Sequence, residues 1–229
     1  AQAGWAGASA YLRGQILYRI AEMLEGRREQ FIAELKLQGM TQRAALKEVD
    51  ASIDRLIYFA GWADKYQQVF SAVNPVASSH FNFSVLEPTG VVSIIAPDES
   101  GLLGLISNVA PTIVGGNTCV VLASESMPLS AVSFAEVLHA SDVPAGVVNI
   151  LTGLRSELTE QFASHMDVNA IVFCDGKRDT ARTIQEAASD NIKRVVARGD
   201  MDWHSDSSQH PYLIRDTQEV KTTWHPIGT

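Results

Sequence analysis

Val91-Val92-Ser93-Ile94-Ile95-Ala96-Pro97 is a β-branched run closed by proline, the pattern of a strand buried on both faces of a parallel sheet. Residues 101–114 then carry Leu102, Leu105, Ile106 and Val109 at helical spacing, and Gly115-Gly116-Asn117 stops that helix with residues that tolerate positive φ. Thr118-Cys119-Val120-Val121-Leu122 is the next buried run. Pro128 opens a helix through His139, and Pro144-Ala145-Gly146 turns the chain into Val147-Val148-Asn149-Ile150. Strand, helix, strand, helix, strand is the half-module of a nucleotide-binding sheet. The alternation continues with a helix over 157–166, a strand at 170–173, a helix over 179–190 and a strand at 193–197. Five strand-like runs alternating with four helices predict an α/β fold with an open parallel sheet and right-handed crossovers.

Residues 1–70 read as a helical lead-in packed on that sheet. Leu12, Ile16, Ile20, Met23 and Leu24 share one face of a helix that Gly26 ends, Phe31, Leu35 and Leu37 continue in a second segment, and Ala45, Val49, Ile53, Leu56, Ile57 and Ala60 make a longer stripe that fades near Phe70. Residues 71–89 read as a linker, rich in Ser, Asn, Ala and Pro, followed by a first outlying strand in which Phe81, Phe83 and Val85 alternate with Asn82, Ser84 and Leu86. The sheet domain occupies 90–198. In 199–229 the sequence predicts a polar loop at 199–209 and two short strands, 211–214 and 219–224.

The bulk numbers exclude several functions. Of 229 residues, 46% are hydrophobic and 19% charged, which suits a folded domain with a sizeable core. The net charge of −8 offers no electrostatic footprint for nucleic acid or an anionic membrane. The uncharged run 100–124 is interrupted by Asn108, Pro111, Gly115, Gly116 and Asn117, so it predicts helix, turn and strand rather than a membrane span. Two cysteines, Cys119 and Cys174, lie in apolar strand-like runs, which argues for a reducing, cytoplasmic setting without disulfides. A start at Ala1 rather than Met is expected of a chain cut from something longer.

Glu87-Pro88-Thr89-Gly90-Val91-Val92, Ala110-Pro111, Gly115-Gly116-Asn117-Thr118, Ser124-Glu125, Pro128-Leu129-Ser130-Ala131 and Val143-Pro144-Ala145-Gly146-Val147-Val148-Asn149 follow one another at the spacing of a known pattern. Together they closely resemble the Rossmann-like cofactor domain of NAD(P)-dependent aldehyde dehydrogenases. Trp5, Arg13, Leu17, Arg19, Ala21, Leu24 and Arg27 match that family's helical lead-in, and Asn169 to Phe173 and Asn191 to Val195 extend the match. The resemblance implies that strands 80–86 and 219–224 form the family's β oligomerisation arm. It also implies that the catalytic domain, which lies between the sheet and the last arm strand, is absent here, its place left to 199–209.

Aldehyde oxidation requires a thiolate nucleophile, an oxyanion site, a base for water and a bound cofactor. By the resemblance, the oxyanion asparagine of a Pro-Trp-Asn-Phe-Pro run is replaced by Glu99 in Pro97-Asp98-Glu99-Ser100-Gly101. Its general-base glutamate is replaced by Arg198, which stays protonated. No Cys follows Cys174, so no catalytic residue is assigned. The ribose-binding Lys-Pro-Ser-Glu is reduced to Leu122-Ala123-Ser124-Glu125, and the Gly-Ser-Thr turn that meets the cofactor reads Cys174-Asp175-Gly176-Lys177. Ser124, Glu125 and Gly176 are the residues left for a residual cofactor site. Asp200, Asp202, His204, Asp206 and His210 offer oxygen and imidazole ligands, but without zinc or EF-hand spacing they read as a solvated loop, and no metal is expected.

The resulting expectation is a non-catalytic pseudoenzyme domain serving oligomerisation or support, similar to the C-terminal half of two-domain family-16 aldehyde dehydrogenases. Its expected partners are a second copy or an active aldehyde dehydrogenase domain, engaged through strands 80–86 and 219–224. No cofactor is expected. An NAD(H)-binding regulatory module and a fragment of an active dehydrogenase are the alternatives.

Overall fold

The computed structural model describes residues 1–199 and 201–228. The lead-in is α1 (Gln2–Ala6), α2 (Ala10–Gly26), α3 (Arg28–Leu37), α4 (Gln42–Trp62) and α5 (Tyr66–Phe70). Strands β1 (Ala72–Asn74) and β2 (His80–Pro88) follow, then β3 (Val91–Ile95), α6 (Leu103–Val114), β4 (Thr118–Leu122), α7 (Leu129–Ala140) and β5 (Val148–Leu151). The chain continues through α8 (Arg155–Ser164), β6 (Ala170–Phe173), α9 (Arg178–Ala188) and β7 (Arg194–Ala197), and ends with α10 (Tyr212–Arg215) and β8 (Gln218–Pro226). Side-chain hydroxyls start the two longest helices: Ser9 Oγ accepts from Leu12 N at 3.1 Å, and Thr41 Oγ1 accepts from Ala44 N at 3.2 Å.

β3 to β7 form a parallel sheet of order β5-β4-β3-β6-β7. The chain steps from β3 outward to β5, returns across the sheet, and steps the other way through β6 and β7. Reversing direction while keeping one hand of crossover transfers the helices to the opposite face. Accordingly α6 and α7 join α2 and α4 in the larger core, whereas Phe162 of α8 and Ile184 of α9 pack with Ile95, Leu122, Ile171 and Phe173 on the other face.

All twelve residues of α6 are buried, because α6 lies between the sheet and α4. Its terminal N–H and C=O groups therefore lack water and must find protein partners. At the N-terminus Glu48 Oε1 accepts from Leu102 N at 3.2 Å, Leu103 N at 3.0 Å and Ser100 Oγ at 2.7 Å, while Gly104 N donates to Ser100 Oγ at 2.8 Å. At the C-terminus Trp5 Nε1 donates to Ile113 O at 2.8 Å and Arg13 Nε to Val114 O at 2.9 Å. Just beyond, Gln218 Nε2 reaches Gly115 O and Gln2 Nε2 reaches Gly116 O, both at 3.2 Å. An anion at the N-terminus and a cation at the C-terminus also complement the helix dipole.

The arm is an antiparallel sheet of order β1-β2-β8, with β2 and β8 paired from His80↔Pro226 to Pro88↔Gln218. Two expectations are corrected here. The stretch 71–79, read as linker, contains β1, because Asn74 Nδ2 donates to Asn82 Oδ1 at 2.6 Å and Ser84 Oγ at 2.8 Å and so ties three residues to β2. The stretch 211–214, read as a strand, lies on α10, which Pro211 opens and whose Leu213 and Ile214 pack into the main core. The period-two pattern of β2 holds, but Asn82 and Leu86 are its buried residues and Phe81 is exposed.

Gly90 turns the chain from the arm into β3 at φ +132, and a Cβ there would collide with Asn169 Oδ1, which accepts from Val91 N at 2.8 Å. Gly90→Ala is expected to destabilise the fold by about 2 kcal/mol or more. Urea unfolding checks this; a change below about 0.5 kcal/mol would show that the turn is not constrained.

Candidate functional site

The strand order reverses between β3 and β6, and in open α/β sheets ligands bind outside the carboxyl ends of the strands at this point. A cleft of about 850 Å³ lies there, between the ends of β3 and β6 and the flanks of α8 and α9. Six carboxylates face it, from Asp98, Glu99, Glu125, Glu160, Asp175 and Asp179, against two cations, Arg155 and Lys177. That balance opposes a pyrophosphate.

Its polar groups are engaged with one another. Asp98 Oδ1 accepts from Glu125 N at 2.8 Å and Ser126 N at 2.9 Å, and Ser124 Oγ lies 3.1 Å from the same oxygen. Burial opposes ionisation of Asp98, but the Ser126 N–H, the Ser124 hydroxyl, the Arg155 charge and the Glu125 N–H outweigh it and hold the carboxyl below its ordinary value. Glu125 Oε2 accepts from Arg155 N at 2.8 Å and so caps α8, while Arg155 Nη2 donates to Ala96 O.

The expected site residues are thus partly brought together. Glu125 and Gly176 line the cleft, whereas Ser124 is buried and its hydroxyl lies 2.8 Å from Asp98 O. Gly176 also meets the chain after β7 closely, since a Cβ on Gly199 would lie 2.7 Å from its Cα. Glu99 lines the cleft but Arg198 does not. Arg198 is 4% exposed; its Nη1 donates to Asn108 Oδ1 at 2.9 Å and its Nη2 to Leu213 O at 3.2 Å and Asp216 Oδ2 at 3.1 Å. Its charge ties the end of β7 to α6 and α10.

The stretch 199–209 is corrected from a solvated loop to a docked one. Trp203 is buried against Leu103 and Cys174, and its Nε1 donates to Glu99 Oε1 at 3.2 Å. Arg55 of α4 holds the loop from beneath: its Nη1 donates to Ser107 Oγ at 2.5 Å and Ser208 O at 2.7 Å, and its Nη2 to Trp203 O at 2.9 Å. His204 Nε2 lies 3.5 Å from Glu48 Oε2. The sequence signal for this seat was Glu48, Ser52 and Arg55, three polar residues on the apolar stripe of α4 and all buried. Among the described residues no group of three His, Cys, Asp or Glu side chains converges to hold a metal; Asp200 of the candidate ligand set lies outside the described residues. Burial pushes the Cys174 thiol up to about 12 and raises that of Cys119 as well, so neither is a thiolate near neutral pH.

A parallel sheet with helices on both faces and a cleft at its switch point defines a nucleotide-binding type of α/β domain. The family model described as "Aldehyde dehydrogenase family" matches residues 1–199, and the chain belongs to that family. Hydroxyisobutyraldehyde dehydrogenase of Mycolicibacterium austroafricanum is 36% identical over 192 residues, covering 83% of this chain and 37% of that protein. Human aldehyde dehydrogenase 1A1 is 34% identical over 195 residues, covering 84% and 38%. Among solved structures, PnpE from Pseudomonas sp. WBC-3 superposes with a TM-score of 0.81 at 31% identity, covering 86% of this chain and 40% of that one. PnpE in complex with nicotinamide adenine dinucleotide gives 0.81 at 30% identity, with the same coverage. The chain spans about two fifths of the length of these relatives. Among the described residues no helix is long and apolar enough to cross a membrane.

Groups that could meet a dinucleotide are engaged within the chain. Glu125 is committed to the end of α8, the Glu125 and Ser126 amides are committed to Asp98, and carboxylates surround the remaining space.

Two outcomes are expected. Trp203→Ala should cost about 3–5 kcal/mol and speed alkylation of Cys174, which in the parent chain should be as slow as that of Cys119. Unchanged labelling would show that Trp203 does not shield the thiol. Ionised Asp98 has a folded-state value below its unfolded one, so the stability it adds is complete above about pH 4 and lost as pH falls through the folded value. Asp98→Asn should therefore lower stability at neutral pH and flatten the acid limb of the stability profile; superimposable profiles would contradict this.

Proposed function

We propose that this chain is a non-catalytic aldehyde dehydrogenase-like domain that serves oligomerisation and structural support of a larger NAD-dependent aldehyde dehydrogenase. It is similar in this to the C-terminal half of a two-domain family-16 enzyme, and its setting is cytoplasmic. The observation that carries the reading is the state of Arg198. At the position the family resemblance gives to the general base stands a buried cation whose hydrogen bonds hold α6 and α10 together. A guanidinium cannot accept a proton from water, and the pairing with Asp216 and Asn108 leaves it a structural part. Glu99, at the oxyanion position, would place a carboxylate where negative charge develops.

The three-stranded arm supports the assembly half of the proposal. β8 carries its outer edge unpaired among the described residues, and Val220, Trp224 and Phe81 are exposed. An open strand edge with apolar side chains is a site where another chain pairs. A second reading, an NAD(H)-binding regulatory module, draws on the cleft at the switch point, with Glu125 and Gly176 on its wall, and on relatives solved with the dinucleotide.

The test is a turnover assay of the chain with small aldehydes and NAD, with light scattering on the same sample. The expected result is no NADH formation and a mass at or above that of a dimer. Turnover proportional to protein concentration would overturn the non-catalytic reading, and a monomer at every concentration would overturn assembly through this chain alone.

A further inference from the structure

We infer that one small monovalent anion of the chloride class binds inside the chain, between the guanidinium groups of Arg55 and Arg198 and the imidazole of His210, and that it fastens the docked loop 199–209 to the sheet domain.

Elements far apart in sequence bring these groups together. Arg55 lies on α4, Arg198 directly follows β7, and His210 precedes α10. Arg55 Nη1 donates to Ser107 Oγ and Arg198 Nη1 to Asn108 Oδ1, so neighbouring residues of α6 take one guanidinium each. Arg55 Nη1 also donates to Ser208 O and Arg198 Nη2 to Leu213 O, and these two acceptors bracket His210 in the chain. The charges of both arginines oppose protonation of His210, which places the three groups in one electrostatic neighbourhood.

Each group keeps one buried nitrogen with no hydrogen-bond partner in the chain: Arg55 Nε, Arg198 Nε and His210 Nδ1. The arginines are 2% and 4% exposed, so bulk water does not serve them, and buried polar atoms of this kind call for an internal partner. Charge adds a second requirement. Asp216 is the carboxylate paired here, 3.1 Å from Arg198 Nη2, whereas Arg55 pairs with none among the described residues. Two guanidiniums against one carboxylate leave one positive charge, and burial pushes Arg55 down to about 10, as it does a cation held without a counter-charge. A water molecule would satisfy the donors and leave that charge in place; a divalent oxyanion would reverse it. A single monovalent anion meets both requirements.

The site is linked to pH. His210 is faced by Arg55 from α4, Arg198 from the end of β7, Asp216 beyond α10 and the Tyr212 ring of α10, whose centroid lies 5.9 Å from its own. Burial holds His210 below its ordinary value, and the two arginine charges add to this against the pull of Asp216. An anion among them favours the imidazolium, whose Nδ1–H then donates to it. Anion uptake is thus coupled to proton uptake, and affinity rises as pH falls below about 7. The loop is the element secured, because Arg55 also holds Trp203 O and Trp203 covers Cys174.

The test is urea unfolding of the whole chain in sodium chloride against sodium gluconate at equal ionic strength, gluconate being too large for a buried seat. For a Kd of about 10 mM, 100 mM chloride is expected to raise the folding constant about tenfold over gluconate, and further at lower pH. Arg55→Lys keeps the charge and loses the Nε donor, and His210→Gln loses the titration; each should remove most of the chloride effect, with circular dichroism confirming the fold. His210→Gln should also leave what remains independent of pH between about 5.5 and 7.5. Crystals grown in sodium bromide should show an anomalous peak within hydrogen-bond distance of both Nε atoms. Identical unfolding in the two salts overturns the proposal. It is equally overturned by a chloride effect that neither substitution alters, which would be an adventitious ion only, or by an ordered water at that position in bromide.

Discussion

A helix with no access to water organises this molecule. α6 is buried along its whole length, so its ends depend on side chains from every part of the chain that surrounds it. Glu48 from α4 supplies the anion at one end, and Trp5, Arg13, Gln2 and Gln218 supply donors at the other. A buried charge is tolerated only when its hydrogen bonds are complete, and removing one partner of such a set costs about 3–5 kcal/mol. The lead-in, the sheet and the first residue of β8 are joined through this helix, which explains how the fold holds together with only a short docked loop between β7 and α10.

The same accounting governs the carboxyl end of the sheet. Several groups that a ligand could satisfy are satisfied internally: Asp98 takes the amides of Glu125 and Ser126, Glu125 takes the end of α8, and Trp203 covers Leu103 and Cys174 while bonding Glu99. The Arg198 charge is drawn into the core between α6 and α10. These contacts come from within the chain, and the sheet around them keeps the family's shape.

Much of the fold was legible in the residues. Buried β-branched runs such as Val91 to Ile95 and Ala170 to Phe173 admit little but a parallel strand, and Gly115-Gly116-Asn117 ends α6 as its φ tolerance suggests. The failures came where local pattern lost to tertiary contact. Ala72 to Asn74 look like linker until Asn74 finds Asn82 and Ser84, and Pro211 to Ile214 look like a strand until Leu213 and Ile214 are drawn into the core. The loop around Trp203 reads as polar because its anchors, Glu48 and Arg55, lie some 150 residues earlier. Of the site, Glu99, Glu125 and Gly176 were placed at the cleft by motif alone, whereas the burial of Ser124 and Arg198 and the role of Asp98 needed coordinates.

The central claim is that a family fold has been retained with its cofactor groups turned inward. A calorimetric titration of the intact chain with NAD and with NADH tests this most directly. The account predicts no heat of binding up to millimolar dinucleotide. Saturable binding in the micromolar range, abolished by Glu125→Gln, would contradict it and make the cleft a working nucleotide site.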